Sequence, residues 1–477
     1  MDWSDGVIAV VKQDCQTCVL IEPILQQLSE GIIPLTVYVQ DDPDFLSNIT
    51  EVQDDTSLEY SFHLNIETVP TLIKIESGRE VGRAIGWTKD EWRGLMNDEL
   101  LGSDLPDFRP GCGSLSVAPG MIEKLELLYG NVRFASRRIA INELEDESEA
   151  CFDRGWTDGL PVVPPSEERV YRMLKACCRD PHEILGDVPP DLVACTVEKV
   201  AINAVMAGCK PEYFPVVLAT IEAALDSNFG LHGLLATTFF SGPMVIVNGP
   251  IRKSIGMNWK GNALGQGNRA NATIGRALQL VVRNVGGGRP RGVDQATLGN
   301  PGKYTFCFAE DENTPWTTLA EQRGFRRNQS TVTVISADGV QPFVDQISRE
   351  PDGLVRSMAA SLRVVNNVKS AGAPDVVFVV SPEHGRVFDR AGWSKEKTIQ
   401  ALQRELQIPG AELVRGAGGI PPGMPDSVKD KTLGKFRAEG LRLVRAGGDA
   451  GFFSAIIPGW PAIGEMGCDP VTKEIII

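Results

Sequence analysis

The sequence predicts an α/β protein made of two differently composed units. Three observations carry that expectation. At 477 residues the chain is longer than the ~250 to 300 residues at which a single core stops growing. Apolar, β-branched runs alternate with helix-period segments along most of its length. The acidity sits at the front: residues 1–150 hold 28 Asp and Glu against 11 Lys and Arg, whereas residues 151–477 hold 34 against 36. We divide the chain into a first domain over 1–102, a linker with an acidic connector over 103–150, and a larger α/β domain over 151–477 whose length implies two lobes.

Composition narrows the function classes. With 42% hydrophobic and 23% charged residues the chain has enough apolar side chains to fold. Its longest uncharged apolar runs, Pro243 to Val247 and Phe452 to Ile457, fall far short of the ~20 residues of a membrane helix, so no membrane partner is expected. An acidic first domain repels phosphate backbones, and no nucleic-acid partner is expected either. The start, Met-Asp-Trp-Ser-Asp, lacks the basic region of a leader, which points to the cytoplasm. There the ten cysteines are expected as thiols rather than as a disulfide framework.

Val7 to Lys12 reads as a strand, and Val19 to Leu25 continues into a helix. Between them stands Cys15-Gln16-Thr17-Cys18. A Cys-x-x-Cys at a strand-to-helix junction puts the first sulfur near unpaired helix N–H groups, which favour thiolate. Cys15 is therefore the candidate nucleophile, and Cys18, one turn on, the thiol that resolves a mixed disulfide. A zinc site needs four ligands, and no second such pair or His pair completes one. No metal and no cofactor are expected.

Downstream motifs give this region a resemblance to the thioredoxin superfamily over residues ~3–102. Pro23 falls five residues after Cys18, Thr68-Val69-Pro70-Thr71-Leu72 resembles the family's cis-proline loop, Ile73-Lys74-Ile75 its next strand, Ser77-Gly78 the hairpin turn, Gly86 a late-strand glycine, and Thr88 to Leu101 the closing helix. The resemblance implies a thioredoxin-like fold, dithiol–disulfide exchange with a protein client, and contact of Val69 and Pro70 with that client. The sequence departs from the family at Asp14 in place of tryptophan, at Gln16-Thr17 in place of Gly-Pro, and at Ala9 in place of a buried acid. An anion at Asp14 is expected to raise the Cys15 thiol pKa.

Residues 103–120 are rich in Pro, Gly and Ser and read as a flexible tether. Cys112, between two glycines, is expected to be exposed and within reach of Cys15, an intramolecular client and a third catalytic cysteine. A helix after 121 and the acidic run Glu143–Glu149 complete the connector.

Beyond Cys151, strands are expected at Met244–Val247, Tyr304–Phe308, Thr331–Ile335, Val376–Val380, Arg442–Val444 and Ser454–Ile457. Helices are expected at Val197–Ala207, Pro215–Leu225, Ala270–Val282 and Lys395–Leu406. Stretches such as Gly155 to Pro165 and Thr196 to Gly208 are similar to an uncharacterised bacterial α/β family found alone or joined to a thioredoxin-like domain. Small proteins that accompany its standalone members carry a selenocysteine-or-cysteine, Gly, Ser, Cys motif, which Cys112-Gly113-Ser114 matches at three of four positions. Neither likeness transfers a reaction. Gly265-Gln266-Gly267-Asn268-Arg269 opens a helix, so Gly265, Gly267 and Arg269 are candidate contacts for an anionic small molecule. Arg269, Arg276 and Arg283 share one helix face, read as solvated. His384 follows a strand end, the usual edge of an α/β site. The functional expectation is a thiol–disulfide oxidoreductase module that keeps a catalytic or ligand-binding domain reduced. The alternatives are a lyase or hydrolase acting on an anionic molecule, and a redox-regulated scaffold.

Overall fold

The computed structural model of the chain describes residues 3–142, 144–460 and 468–477; Glu143 of the acidic run lies outside them. The protein is α/β and divides into two compact units, residues up to Arg133 and residues from Phe134 onward.

The first unit is built on a five-stranded sheet whose strands stand in the order Val52–Asp54, Leu35–Val39, Gly6–Val11, Thr71–Glu76 and Arg79–Ile85. β1 (Gly6–Val11) carries an unbroken apolar run because it is central and buried on both faces. It runs parallel to β2 (Leu35–Val39), with Val7 opposite Leu35, and β2 runs parallel to β3 (Val52–Asp54). On its other edge β1 is antiparallel to β5 (Thr71–Glu76), with Ala9 opposite Leu72. β5 turns into β6 (Arg79–Ile85) through Ser77 and Gly78, both at positive φ (54° and 70°), the conformation a tight hairpin requires. After β1 the chain forms α1 (Gln16–Leu20), breaks at Ile21, and restarts with Pro23 in the first turn of α2 (Glu22–Ser29). The short helix α3 (Glu59–His63) leads to β4 (Thr68–Val69), and β7 (Trp87–Thr88) to α4 (Lys89–Met96), which ends at left-handed Asn97. Trp87 and Trp92 are fully buried edge to face, 5.2 Å between centroids.

Residues 103–120 are not a tether. They run back across the first unit as β8 (Phe108–Arg109) and β9 (Cys112–Gly113), which pair with β7 and β4, and then form a single 3-10 turn over Leu115–Val117. The glycines that read as flexibility are there for close approach: a Cβ on Gly111 would lie 2.7 Å from the Val69 carbonyl oxygen. Helix α5 (Met121–Tyr129) follows.

In the second unit the acidic connector becomes a helix, Glu147–Asp153, capped by Asp146. Two four-stranded sheets follow. In one, Gly242–Asn248 lies between Cys307–Ala309 and Thr331–Ala337, which pairs with Val471–Glu474. In the other, Asp375–Val380 lies between Leu441–Arg445 and Phe453–Gly459, which pairs with Gln341–Val344. Strand periodicity assigns their faces. Val245, Val247, Val332 and Val334 pack on helices Val197–Ala207, Phe214–Leu225 and Arg269–Asn284. Met244, Ile246, Ile335 and Ala337 meet Val377, Val379, Val444 and Ile457 of the second sheet. Val376, Phe378, Val380 and Leu443 pack on Leu354, Met358, Phe388 and Leu402 of helices Pro351–Arg363, Pro382–Arg390 and Lys395–Glu405. The layers are helices, sheet, sheet, helices, with a shared core between the sheets.

Candidate functional site

Cys15 ends the loop after β1 and caps α1. Its backbone is extended (φ −146°), and its sulfur accepts from the Cys18 N–H at 3.4 Å. On the opposite side the Cys15 thiol donates to the Val69 carbonyl at 3.6 Å, next to the cis Val69–Pro70 peptide bond. Cys15 is 3% exposed and Cys18 is sealed, one turn behind it.

Cys112 completes the cluster. β4 and β9 pair antiparallel with Val69 opposite Cys112, and the Cys112 thiol hydrogen-bonds to Cys15. It is partly buried against the same core, not freely exposed. Three sulfurs and the Val69–Pro70 loop are thus one constellation, assembled from segments that are far apart in sequence.

The electrostatics divide the labour. Burial works against ionisation of Cys15, yet its thiol falls below the ordinary value, because hydrogen bonds from the Cys112 and Cys18 thiols and from the Cys18 and Thr17 N–H groups outweigh it. The expected rise from Asp14 is not seen: that residue is exposed and does not bear on the sulfur, while its amide and that of Gln13 are held by Asp41 at 2.9 and 2.7 Å. With α1 only five residues long, the acidity comes from discrete hydrogen bonds more than from a long helix dipole. Burial pushes the Cys18 thiol strongly up. The Cys112 thiol is raised first by its hydrogen bond to Cys15 and then by burial. One thiol of lowered pKa therefore stands beside two of raised pKa.

The second unit treats its predicted residues differently. Gly265 lines a cavity of about 620 Å³ together with Phe240, Leu264, Phe306, Val340 and Asp338. Gly267 and Arg269 are not among its walls, and the Arg269 Nε donates to the carbonyl of Gly208, the C-cap residue of helix Val197–Ala207, at 2.9 Å. The helix start at Arg269 is closed by its own cap, Asn268 accepting from the Asn271 N–H at 3.0 Å. The walls carry a carboxylate and no cation, so this cavity does not suit the anionic ligand the glycines suggested. Asp338 was missed by sequence reasoning because it follows a strand with no motif around it. Its carboxyl is pushed up to about 6 by burial, with only the Ser241 hydroxyl to support it.

His384 is 1% exposed, and both ring nitrogens are engaged, Nδ1 with Ser454 Oγ at 2.7 Å and Nε2 with the Asp345 carbonyl at 3.0 Å. It stands among Phe343 and Phe452 as a core histidine and offers no free nitrogen to a ligand. Within the arginine stripe Arg269 is exposed as expected, whereas Arg276 is not a solvated charge: it forks onto Asp158 at 2.8 and 2.7 Å and onto the Leu160 and Pro161 carbonyls. Glu310 accepts from Asn248 and Leu319 at 2.7 Å and faces Lys395 at 3.7 Å inside the core. Among the described residues, no three His, Cys, Asp or Glu side chains group to hold a metal, and no helix is long and apolar enough to cross a membrane. No family model and no curated protein matches the chain.

Proposed function

We propose that the first unit is a thioredoxin-like thiol–disulfide oxidoreductase with Cys15 as nucleophile and Cys18 as resolving thiol. The observation that carries the reading is the depression of the Cys15 thiol by four hydrogen bonds while Cys18, one turn away, stays protonated. The Cys15 thiolate attacks a client disulfide, one client sulfur leaves as thiol, and Cys18 then attacks the mixed disulfide to release the second. Val69, whose carbonyl already meets the Cys15 sulfur, and Pro70 border the place where a client backbone would lie. The proposed setting is a reducing, cytoplasmic one, in which the ten cysteines serve as thiols. Reduction of insulin by dithiothreitol tests the reading: the wild-type chain accelerates it and Cys15→Ser abolishes the acceleration, whereas equal rates with and without the protein would sink it.

For the second unit we propose ligand binding. Burial raises the Cys195, Cys209 and Cys468 thiols to about 12, which makes them inert as exchange clients. The cavity beside Gly265 and Asp338 suits a small, mostly apolar molecule that carries a hydrogen-bond donor. Native mass spectrometry of the purified chain and of Asp338→Asn tests this, since a bound mass common to both would place the ligand elsewhere.

A further inference from the structure

The strap from Phe108 to Ser116 is more than a dithiol centre requires, and it is fastened at nearly every residue. β8 pairs with β7, and the Arg109 guanidinium donates to Gln16 Oε1 at 2.8 Å. The Pro110 carbonyl accepts from Thr17 Oγ1 at 2.7 Å, within the Cys-x-x-Cys itself. Gly111 lies so close to β4 that a Cβ would stand 2.4 Å from Thr68 Cγ2 and 3.3 Å from the Gly86 Cα. Lys12 Nζ donates to the Gly113 carbonyl at 3.0 Å. The Ser114 hydroxyl accepts from buried Gln40 at 2.7 Å and meets Ser116 Oγ at 2.7 Å.

The strand edge beside Cys15 is thus taken by the chain itself, and the residue opposite Val69 is a cysteine whose thiol hydrogen-bonds to Cys15. β8 and β9 are two residues each, so backbone pairing contributes little, and over residues 108–113 single hydrogen bonds involving Arg109, Thr17 and Lys12 hold much of the strap. Such a segment opens at a lower free energy than the sheet beneath it.

We propose that residues 108–114 are a resident client strand: they fill the edge of β4 that an external cysteine peptide would occupy, and Cys112 is the first thiol with which Cys15 exchanges. This rests on the oxidoreductase reading above and adds its client and its gate. With a low-molecular-weight disulfide RSSR as oxidant, the Cys15 thiolate attacks one sulfur and expels RS⁻. Cys112 then attacks the Cys15 sulfur, expels the second RS⁻ and gives its proton to it. The Cys15–Cys112 pair has lost two electrons, and RSSR has become one RS⁻, expelled by the Cys15 thiolate, and one RSH, which carries the Cys112 proton. Cys18 can next attack the Cys15 sulfur and pass its proton to the departing Cys112, leaving a Cys15–Cys18 disulfide and a free Cys112 thiol. A large disulfide reaches Cys15 only when the strap lifts.

The full chain carrying Cys18→Ser, treated with oxidised glutathione and mapped by non-reducing mass spectrometry, is expected to yield a Cys15–Cys112 linked peptide pair with no glutathione retained. A stable glutathione adduct on Cys15 with Cys112 free would overturn the resident client and leave the oxidoreductase reading standing. Neither adduct nor link would overturn both. The gate has its own readout: Gly111→Val places side-chain atoms against Thr68 and Val69 and is expected to speed insulin reduction about ten-fold by lifting the strap, at a pH where Cys15 is ionised in both proteins so that loss of the Cys112 hydrogen bond does not offset the gain. An unchanged or slower rate overturns the gate. If that variant does not fold, Thr17→Val, which removes only the bond to Pro110, is read the same way with a smaller gain.

Discussion

Cys112 stands opposite Val69 in an antiparallel pair, and the Val69 carbonyl in turn accepts from the Cys15 thiol at 3.6 Å. A two-residue strand therefore touches both ends of the Cys15–Cys112 contact, pairing with the Cys112 backbone and accepting from the Cys15 side chain. Sulfur chemistry at this centre is accordingly tied to whether residues 108–114 are seated.

The two members of the Cys-x-x-Cys should differ sharply in reactivity. The Cys15 thiol lies below its ordinary value and the Cys18 thiol far above, so lowering the pH toward neutrality removes thiolate from Cys18 long before Cys15. With iodoacetamide at neutral pH, peptide mapping should find Cys15 labelled and Cys18 intact in the folded chain, and both labelled in urea. Faster labelling of Cys18 in the folded protein would reverse the assigned roles.

Asp338 should cost the second unit stability above neutrality. Its carboxyl titrates near 6 in the folded state against 3.8 unfolded, so the folded state binds the proton more tightly. Stability from this group is complete below the unfolded value, falls as pH rises between the two, and is lost above the folded value. Asp338→Asn keeps an oxygen for the Ser241 hydroxyl and removes the charge, so it should stabilise by up to about 3 kcal/mol at pH 8 and by almost nothing near pH 4. Urea midpoints across that range check the sign.

What was legible in the sequence was what periodicity writes locally. Val197–Ala207 appears as a helix at its expected bounds, and the β-branched runs at Thr331 and Val376 open or enter strands Thr331–Ala337 and Asp375–Val380. Cys15 at a strand-to-helix junction was legible for the same reason. The strap was not: β8 and β9 are two residues long, which is too short for a period, and their partners lie 20 or more residues away in sequence. Arg269 was legible as a residue at a helix start, but nothing local announces that its Nε donates to the Gly208 carbonyl. His384 sits at a strand end as expected, but nothing local announces that Ser454 and Asp345 consume both its nitrogens.

Arg276 should behave as a buried fork and not as a surface charge. Its partner Asp158 and its own side chain are 11% and 14% exposed, and the same guanidinium serves two carbonyls of the irregular Leu160–Pro161 segment. Arg276→Ala should therefore cost about 3 kcal/mol, well beyond the ~0.5 kcal/mol of a solvated position. Arg276→Lys should recover little of it, since an ammonium cannot reproduce the bidentate geometry. Urea denaturation followed in the second unit measures both, and a loss within the surface range would restore the solvated-face reading.

The acidity of Cys15 should depend on a residue 97 positions away. Among the groups that lower it, the Cys112 thiol is the largest, ahead of the Cys18 thiol and N–H and the Thr17 N–H, while burial pulls the other way. A hydrogen bond to the charged form favours that form, so deleting the donor must raise the Cys15 pKa. Cys112→Ala removes the donor and leaves the opposing burial partly in place. The half-point of Cys15 alkylation against pH should then move up by about one pH unit, the scale of a single charge-assisted hydrogen bond. Cys112→Ser keeps an O–H donor at the same position and should hold the half-point near that of the parent protein. The two variants separate a specific donor from a mere change in packing, because both remove the sulfur and only one removes the proton. Equal upward shifts in Ala and Ser would mean that Cys112 acts through its bulk. No shift in either would mean that the Cys18 and Thr17 N–H groups alone set the nucleophile, and that the strap has no hold on its chemistry.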